Sequence, residues 1–330
     1  MLKNYPSIKY AADSKPQLIV VIDTEEEFNW SAPPDRASTA VTAMSEIYRV
    51  QDIFNEYDLV PCYVVDYPIA SNKESVKPLK EYLDNSQCEI GAHLHPWVNP
   101  PFTEEVTVSN MYPGNLTFET ERDKLKQLQQ TIKESLGIDP NIYKAGRYGL
   151  GENTYKILNE LGFTIDLSVC SAFDYRHDGG PDFSDSLTEP YWIKAEKKVL
   201  EIPLTGAFVG HAGHFSKSIY NLSGYLNMFK ARGILSRLSI VDRLMLSPEG
   251  YSSEEHIKLT RFLYNKGVRT FTWNFHSPSV VPGMTMYTKN EKEVQNFLDS
   301  FKRFFDFFLG ELSGEGTTPT KIKAKLETQK

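Results

Sequence analysis

Two histidines end an apolar strand in the stretch Glu89-Ile90-Gly91-Ala92-His93-Leu94-His95-Pro96-Trp97. In an extended segment, alternate side chains point to the same face, so His93 and His95 can converge on one point. Paired neutral imidazoles are common ligands of zinc and similar divalent metals. Two solvated histidines on a loop would give the same short pattern, so the stretch alone leaves both interpretations open.

The composition is that of a soluble globular protein, because 40% of the 330 residues are hydrophobic and 24% are charged. A chain of this length forms one large α/β domain or two ordinary ones. No internal repeat or linker divides it. The formal net charge of −7 disfavours nucleic acid as the main partner. An acidic surface is better suited to a glycan without strong negative charge, or to a substrate bridged by a metal.

Cysteine usage and the apolar segments predict a location. The three cysteines form no Cys-x-x-Cys pair, and residues 1–17 contain no apolar segment of signal-peptide length. A reducing, cytoplasmic setting follows. No run of about 18 apolar residues occurs, so we expect no membrane-spanning helix.

Seven apolar segments of strand length alternate with amphipathic helical segments, which predicts a mostly parallel sheet with right-handed crossovers. Seven such strands favour a closed barrel over an open doubly wound sheet, and no glycine-rich phosphate motif follows the first strand. The fold class is therefore an α/β barrel. The segments are residues 17–23, 59–65, 89–95, 142–146, 163–169, 199–204 and 269–275.

The polarity of the chain changes at both ends of this alternating region. We expect residues 1–16 to form an N-terminal extension, residues 17–310 the barrel and residues 311–330 a flexible polar tail. Just before the tail, five phenylalanines recur at helical spacing, which is more typical of a core or partner face than of a membrane anchor. They are Phe297, Phe301, Phe304, Phe305 and Phe308.

Polar side chains gather where the predicted strands end, and in an α/β barrel the carboxyl ends of the strands carry the working residues. This coincidence predicts a functional site at that end of the barrel. The residues are Asp23, Glu25, His93, His95, Arg147, Asp166 and His276.

Each of these residues also has a structural explanation. Asp23 or Glu25 after a strand could cap a helix instead of binding a metal or acting as a base. Arg147 could be a surface cation or the partner of a site carboxylate, whose pKa it would lower. Asp166 lies within a strand, where an unpaired charge is costly, so it needs a partner. His276, a strand-end histidine before a proline turn, could be structural or catalytic.

Other aromatic and histidine side chains are weaker candidates. Trp97 and Tyr148 could stack on a sugar ring or pack in the core. His211 and His214 form a looser pair in a glycine-rich loop, which could be a second metal site, although the absence of an accompanying carboxylate disfavours it.

Five motifs in this order resemble those of the polysaccharide deacetylases with a NodB homology domain. The likeness covers residues 17–309 and is strongest to the WalW-like branch, through Asp-Thr-Glu-Glu-Glu-Phe, Gly-Ala-His-Leu-His-Pro-Trp and Lys-Ala-Gly-Arg-Tyr-Gly-Leu-Gly. The motifs are Ile22-Asp23-Thr24-Glu25, the 89–95 stretch, Arg147, Asp166 and His276-Ser277-Pro278.

The resemblance implies a distorted seven-stranded (β/α) barrel and a metal-dependent hydrolase that removes N-acetyl groups from sugars. It implies a divalent metal, usually zinc, held by Glu25, His93 and His95. It also implies Asp23 as base with Arg147 as its partner, and His276 as acid, oriented by Asp166. The Asp-x-Glu spacing leaves the base and ligand roles of Asp23 and Glu25 interchangeable.

The expected substrate is therefore an N-acetylated glycan or, since no export signal is found, an intracellular glycan precursor. Two other functions stay open. One is a metal-dependent hydrolase of a non-sugar amide, and the other is a glycan-binding barrel that has lost turnover.

Overall fold

The strands of the barrel are seen in a computed structural model that describes residues 13–193, 199–225 and 240–328, and positions 5, 8, 10, 11, 235 and 238. The strands of the described chain, in chain order, are β1 Gln17–Thr24, β2 Cys62–Val65, β3 Glu89–Leu94, β4 Ile142–Ala145, β5 Ile165–Asp166, β6 Tyr191–Ile193, β7 Val199–Glu201, β8 Gly206–Val209, β9 Asp242–Met245, β10 Thr270–His276 and β11 Glu315–Gly316.

Seven strands are parallel neighbours in one curled sheet, in the order β10-β1-β2-β3-β4-β5-β7. They coincide with the seven predicted segments, which confirms the single-domain α/β barrel. β6 pairs antiparallel with β7, and β8 forms a separate hairpin with β9. Between β7 and β10 the described residues form no ladder, and Leu246 bridges the gap. Its amide donates to the Thr205 carbonyl (2.8 Å), and its carbonyl accepts from the Asn274 amide (3.2 Å).

Helices cover the outer face of the sheet, and short 3-10 turns join them to the strands. In the described ranges no helix is both long enough and apolar enough to cross a membrane. The α-helices are α1 Tyr48–Glu56, α2 Tyr67–Ser71, α3 Lys73–Asp84, α4 Phe118–Leu136, α5 Thr154–Leu161, α6 Ser216–Tyr225, α7 Ser253–Asn265, α8 Glu291–Phe305 and α9 Pro319–Thr328.

The strands are buried on both faces, as is usual for a parallel sheet under helices. Ile19 and Val21 of β1 belong to the cluster inside the barrel, together with Ile165 and Leu167. Because side chains alternate along a strand, Asp23 faces the interior and Asp166 faces the helices. The phenylalanine stripe on α8 and the following π-turn is buried core, as the sequence predicts.

The C-terminal segment differs from its prediction as a flexible polar tail, which is wrong for residues 311–328. β11 pairs with β1, and α9 follows it. Ile322 is fully buried and Leu326 is 5% exposed, and both pack against the interior cluster at the end opposite Asp23. Two apolar side chains in a polar segment are too few to reveal a helical period in the sequence.

Candidate active site

Glu25, His93 and His95 meet at the carboxyl end of the barrel. His93 lies in β3 and His95 directly follows it, which brings both imidazoles to one face, and Glu25 follows the end of β1. All three side chains are buried, and the Nε2 atoms of His93 and His95 lie 3.5 and 3.4 Å from Glu25 Oε2. Donor atoms of the three residues all lie within 4.8 Å of one another, an arrangement that could hold a metal ion.

The other nitrogen of each imidazole has its own partner. His93 Nδ1 donates to the carbonyl oxygen of Lys144 (3.1 Å), and His95 Nδ1 donates to Glu26 Oε2 (2.8 Å). This assignment of the protons leaves the Nε2 lone pairs of both rings directed towards Glu25. Metal-binding histidines are typically oriented in this way by a carbonyl or carboxylate.

The electrostatics of the three residues also suit a cation. Burial lowers the pKa of His95 to about 4 and that of His93 well below its usual value, so both rings stay neutral. Burial, followed by the charges of Glu26 and Asp23, raises the pKa of Glu25 well above its usual value. Its Oε1 atom is buried without a hydrogen-bond partner. Two neutral imidazoles and a carboxyl group with an unsatisfied oxygen form a donor set that fits zinc, whose binding would displace the carboxyl proton.

Asp23 lies beside these residues but has different partners. Lys144 Nζ forms an ion pair and hydrogen bond with Oδ2, and Asn274 Nδ2 donates to Oδ1 (3.1 Å). His276 Nε2 is 3.6 Å from Oδ2. Burial alone would raise the pKa of Asp23. Lys144, followed by His93 and His276, outweighs burial and holds this pKa well below its usual range. Asp23 is therefore ionised at neutral pH.

Glu249 fixes the orientation of His276. His276 Nδ1 donates to Glu249 Oε2 (2.6 Å), and the His276 amide donates to Oε1 (3.2 Å). Ser279 Oγ donates to the same Oε1. Burial opposes protonation of the ring, but the charge and hydrogen bond of Glu249 raise the pKa of His276 above its usual value. A protonated His276 with Nε2 facing Asp23 is thereby stabilised.

Arg147 is not the partner of Asp23 in the structure, because its side chain turns outward. Its guanidinium donates to Asp178 (3.0 Å) and Tyr112 (3.3 Å), and is 31% exposed. The backbone of Arg147 has a left-handed φ of 53°. Lys144, three residues earlier on β4, supplies the cation that the sequence analysis assigned to Arg147.

Asp166 does not contact His276, because it faces the helices outside the barrel. It accepts hydrogen bonds from Ser168 N (3.1 Å) and Ser168 Oγ (2.5 Å), and protonated Glu201 hydrogen-bonds to it. Burial raises the pKa of Asp166 to about 6. The sequence could not reveal its direction, because both faces of this strand are buried. Glu249 has the orienting role expected of Asp166.

Replacing Asp166 by Asn tests this correction. In native protein the raised pKa stabilises the fold at low pH, and that contribution is lost as pH rises from about 4 through about 6. Asn cannot ionise and can donate to Glu201, so the variant is expected to gain about 1–3 kcal/mol over the parent as the pH rises from 4 to 8. Thermal unfolding at several pH values measures this gain. The activity expected from the sequence should stay near the parental level, and a hundredfold loss would instead place Asp166 in the site.

The two aromatic candidates, Trp97 and Tyr148, differ in whether their rings are accessible to a sugar. Trp97 is 2% exposed and stacks on His95, with ring centroids 4.2 Å apart, so it supports the imidazole and offers no surface to a sugar. Tyr148 lies at the edge of the site, where its ring is 4.8 Å from Lys144 Nζ and stacks on Tyr175. His211 is exposed, and the side chain of His214 lies outside the described residues.

Three buried residues at the site are missing from the sequence analysis: Glu26, Lys144 and Glu249. Lys144 had a detectable signal, because a lysine inside an apolar strand needs a charged partner. Glu26 was hidden in a run of three glutamates. Glu249 lies in an irregular segment after β9, where no periodicity indicates its direction.

Sequence comparison adds no relative, since no family model and no curated protein matches the chain. Among solved structures, a protein from Mycobacterium smegmatis, provisionally named a polysaccharide deacetylase, matches with a TM-score of 0.58 and 13% identity over 98% of this chain and 95% of its own. A Pseudomonas aeruginosa PAO1 protein with a similarly provisional name matches with a TM-score of 0.52 and 15% identity, over 93% and 89%.

A third match shows that this barrel is shared more widely. The 4-alpha-glucanotransferase of Thermococcus litoralis has a TM-score of 0.51 and 12% identity, over 94% of this chain and 40% of its own. At such identities the likeness concerns the fold, and the motif-based resemblance is confirmed at that level. The chain has the fold of the polysaccharide deacetylases.

Proposed function

We propose that this protein is a metal-dependent hydrolase that removes the acetyl group from an N-acetylated sugar of a glycan or glycan precursor. The observation that carries the proposal is the convergence of Glu25, His93 and His95 beside the Asp23–His276 pair. The fold shared with proteins named polysaccharide deacetylases supports the substrate class. The WalW-like branch and the cytoplasmic location stay predictions.

Glu25, His93 and His95 would hold the metal, with zinc as the expected ion. The partners of the two acidic residues support this division of roles. Asp23 is already bound by Lys144 and Asn274, whereas Glu25 faces both Nε2 atoms and has an unsatisfied oxygen. A bound cation would polarise the acetyl carbonyl and lower the pKa of a water molecule in the site.

Asp23 and His276 would move the protons. Ionised Asp23 accepts a proton from the attacking water, and protonated His276 donates one from Nε2 to the departing amine. Because the pKa of Asp23 is lowered and that of His276 is raised, the proton on Asp23 then passes to the neutral imidazole 3.6 Å away. This transfer restores both groups for the next cycle. Lys144 keeps Asp23 ionised. Glu249, by binding Nδ1 of His276, keeps Nε2 of that ring directed towards Asp23.

A partly exposed aromatic side chain also favours a sugar. Trp30 lies beside the acid, with its ring centroid 4.6 Å from that of His276, and Tyr287 borders it. Aromatic rings next to polar groups are typical of ligand sites that fix orientation. Tyr148, at the opposite edge near Lys144, stays the second candidate for substrate contact.

Zinc binding and substrate choice test the proposal. Chelator-treated full-length protein is titrated with Zn²⁺ by calorimetry, and Glu25→Gln is expected to weaken binding by more than about 100-fold, since even the partners of metal ligands contribute 10–100-fold. Asp23→Asn should bind Zn²⁺ almost as well as the parent. A stronger loss in Asp23→Asn than in Glu25→Gln would reverse the two roles.

Activity is then measured against acetylated sugars and small cyclic amides. Release of acetate from sugars alone is expected, and it should stop on chelation and return with Zn²⁺. Turnover of cyclic amides alone would favour the non-sugar hydrolase. Sugar binding without turnover and without Zn²⁺ affinity would favour the inactive glycan-binding barrel.

A further inference from the structure

Lys124, in the middle of α4, is fully buried although lysine is among the residues least often found inside proteins. Its Nζ atom donates to the carbonyl oxygens of Pro96 (3.0 Å), Asn99 (2.6 Å) and Pro101 (2.8 Å). It also forms an ion pair with Glu104 Oε2 at 3.0 Å. All four partners lie in the segment 96–104, which begins immediately after His95.

An ammonium group suits this segment for a simple chemical reason. Prolines 96, 100 and 101 have no amide hydrogen, so the segment cannot satisfy its carbonyl groups through a regular ladder. Buried carbonyl groups without a donor are costly. The three hydrogens of one ammonium group satisfy three of them at once. Asn99 Nδ2 returns a hydrogen bond to the Lys124 carbonyl (2.9 Å), so helix and segment are joined in both directions.

The segment carries the ring that supports His95. Two of the three carbonyls bound by Lys124, those of Pro96 and Asn99, flank Trp97 in sequence. The Trp97 ring lies nearly parallel to the His95 ring, with an interplanar angle of 24°. Phe28 contacts both rings edge-on, with centroids 5.9 Å from His95 and 5.6 Å from Trp97. Through Trp97, the segment therefore contacts the His95 ring, whose Nδ1 is bound by Glu26.

We propose that Lys124 is a positioning residue for the metal site: by binding the 96–104 segment to α4, it holds Trp97 against His95 and keeps His95 Nε2 directed at Glu25. The metal in this statement rests on the proposed function, whereas the effect on the imidazole does not. The polar partners of Lys124 Nζ all lie in the 96–104 segment, so it would act through that segment.

The test compares Lys124→Met with Lys133→Met in the full-length protein. Methionine keeps the length and apolar stem of lysine but has no donor. Lys133 is on the same helix, its side chain is 52% exposed, and it pairs with Asp139 at the surface (2.8 Å), so it controls for loss of a lysine from α4. Two readouts are used: the Zn²⁺ dissociation constant from calorimetry, and the imidazole ¹⁵N signals of metal-free protein from NMR.

Lys124→Met is expected to raise the Zn²⁺ dissociation constant about 10–100-fold, the range typical for residues that orient metal ligands. Its His95 signals should shift or broaden, whereas those of His256, buried between Trp273 and Phe304, should stay unchanged. Lys133→Met should match the parent in both readouts. A folded Lys124→Met protein with parental His95 signals and parental Zn²⁺ affinity would overturn the proposal, even if it were less stable.

Two further outcomes are separated by the same design. If the parent itself binds no Zn²⁺, the proposed function fails, while the NMR signals still decide whether Lys124 positions His95. If Lys124→Met does not fold, Glu104→Gln replaces it, because this change removes the charge partner of the ammonium but leaves its three carbonyl acceptors in place. The same change also removes the charge that pairs with Arg36 (3.4 Å). A smaller change of the same His95 signals is then expected, and unchanged signals would overturn the proposal.

Discussion

Asp23→Asn is expected to lower kcat/KM by about 10²–10⁴-fold, the usual contribution of a general base. The amide cannot accept the proton of the attacking water, nor pass one on to His276. The change also leaves the buried Lys144 ammonium without its carboxylate, which typically costs about 3–5 kcal/mol. Steady-state kinetics and thermal unfolding of the same preparation measure the two effects.

A double variant at Asp23 and Lys144 separates the loss of activity from the loss of stability. Asp23→Asn combined with Lys144→Met is expected to recover much of the lost stability, because no unpaired charge remains, but none of the activity. Lys144→Met alone removes the main cause of the low pKa of Asp23, so the acid limb of kcat/KM should move to higher pH. If Asp23→Asn retained full activity, the base would have to be another group.

Glu249→Gln is expected to lower kcat/KM by about 100-fold, because His276 loses the carboxylate that orients it and supports its protonated form. The sign of the pH effect is specific. Glu249 raises the pKa of His276 against the effect of burial, so its removal lowers that pKa. The acid is then deprotonated earlier, and the alkaline limb of kcat/KM should move to lower pH. A pH profile of kcat/KM for parent and variant measures this shift.

Asp166→Asn is the matched control, because it replaces the other buried acid considered for this role. Only Glu249→Gln should shift the alkaline limb, and neither variant should change Zn²⁺ affinity much, since neither residue contacts the three proposed ligands. An unshifted limb in Glu249→Gln, with reduced activity, would mean that His276 is not the acid.

The strands of the barrel could be predicted because each lies in a short, largely apolar or alternating segment, and their parallel order follows from the helices between them. β6, β8 and β9 were not predicted. β6 lies at the edge of the sheet, β8 and β9 form a separate hairpin, and all three contain half-buried residues. Without a fully buried run, such segments resemble irregular loops.

The candidate site was predicted where a residue lies among the last two residues of a strand of the sheet, as Asp23, His93 and His276 do. The errors at Arg147 and Asp166 have different physical origins. Arg147 lies in a turn after β4, with a left-handed φ of 53° and a side chain that turns outward, whereas Asp166 lies within a strand. A sequence gives the position of a side chain along a strand, but when both faces are buried it does not give the face. Lys144 and Asp166 occupy adjacent strands in the interior and exterior orientations respectively, and only packing distinguishes them.

The pairing of β1 has a consequence for the order in which the protein can be built. β1 bonds on one side to β10, some 250 residues away in register Gln17 to Thr270, and its first residues also pair with β11. During synthesis, β1 therefore leaves the ribosome long before β10 and β11, the late strands with which it pairs. Contacts of such sequence separation are slow to form, and unpaired strand edges invite aggregation meanwhile. A chain stalled after His276 would already contain every proposed metal ligand and catalytic residue. It would still lack α9, which packs on the interior cluster at the end of the barrel opposite Asp23.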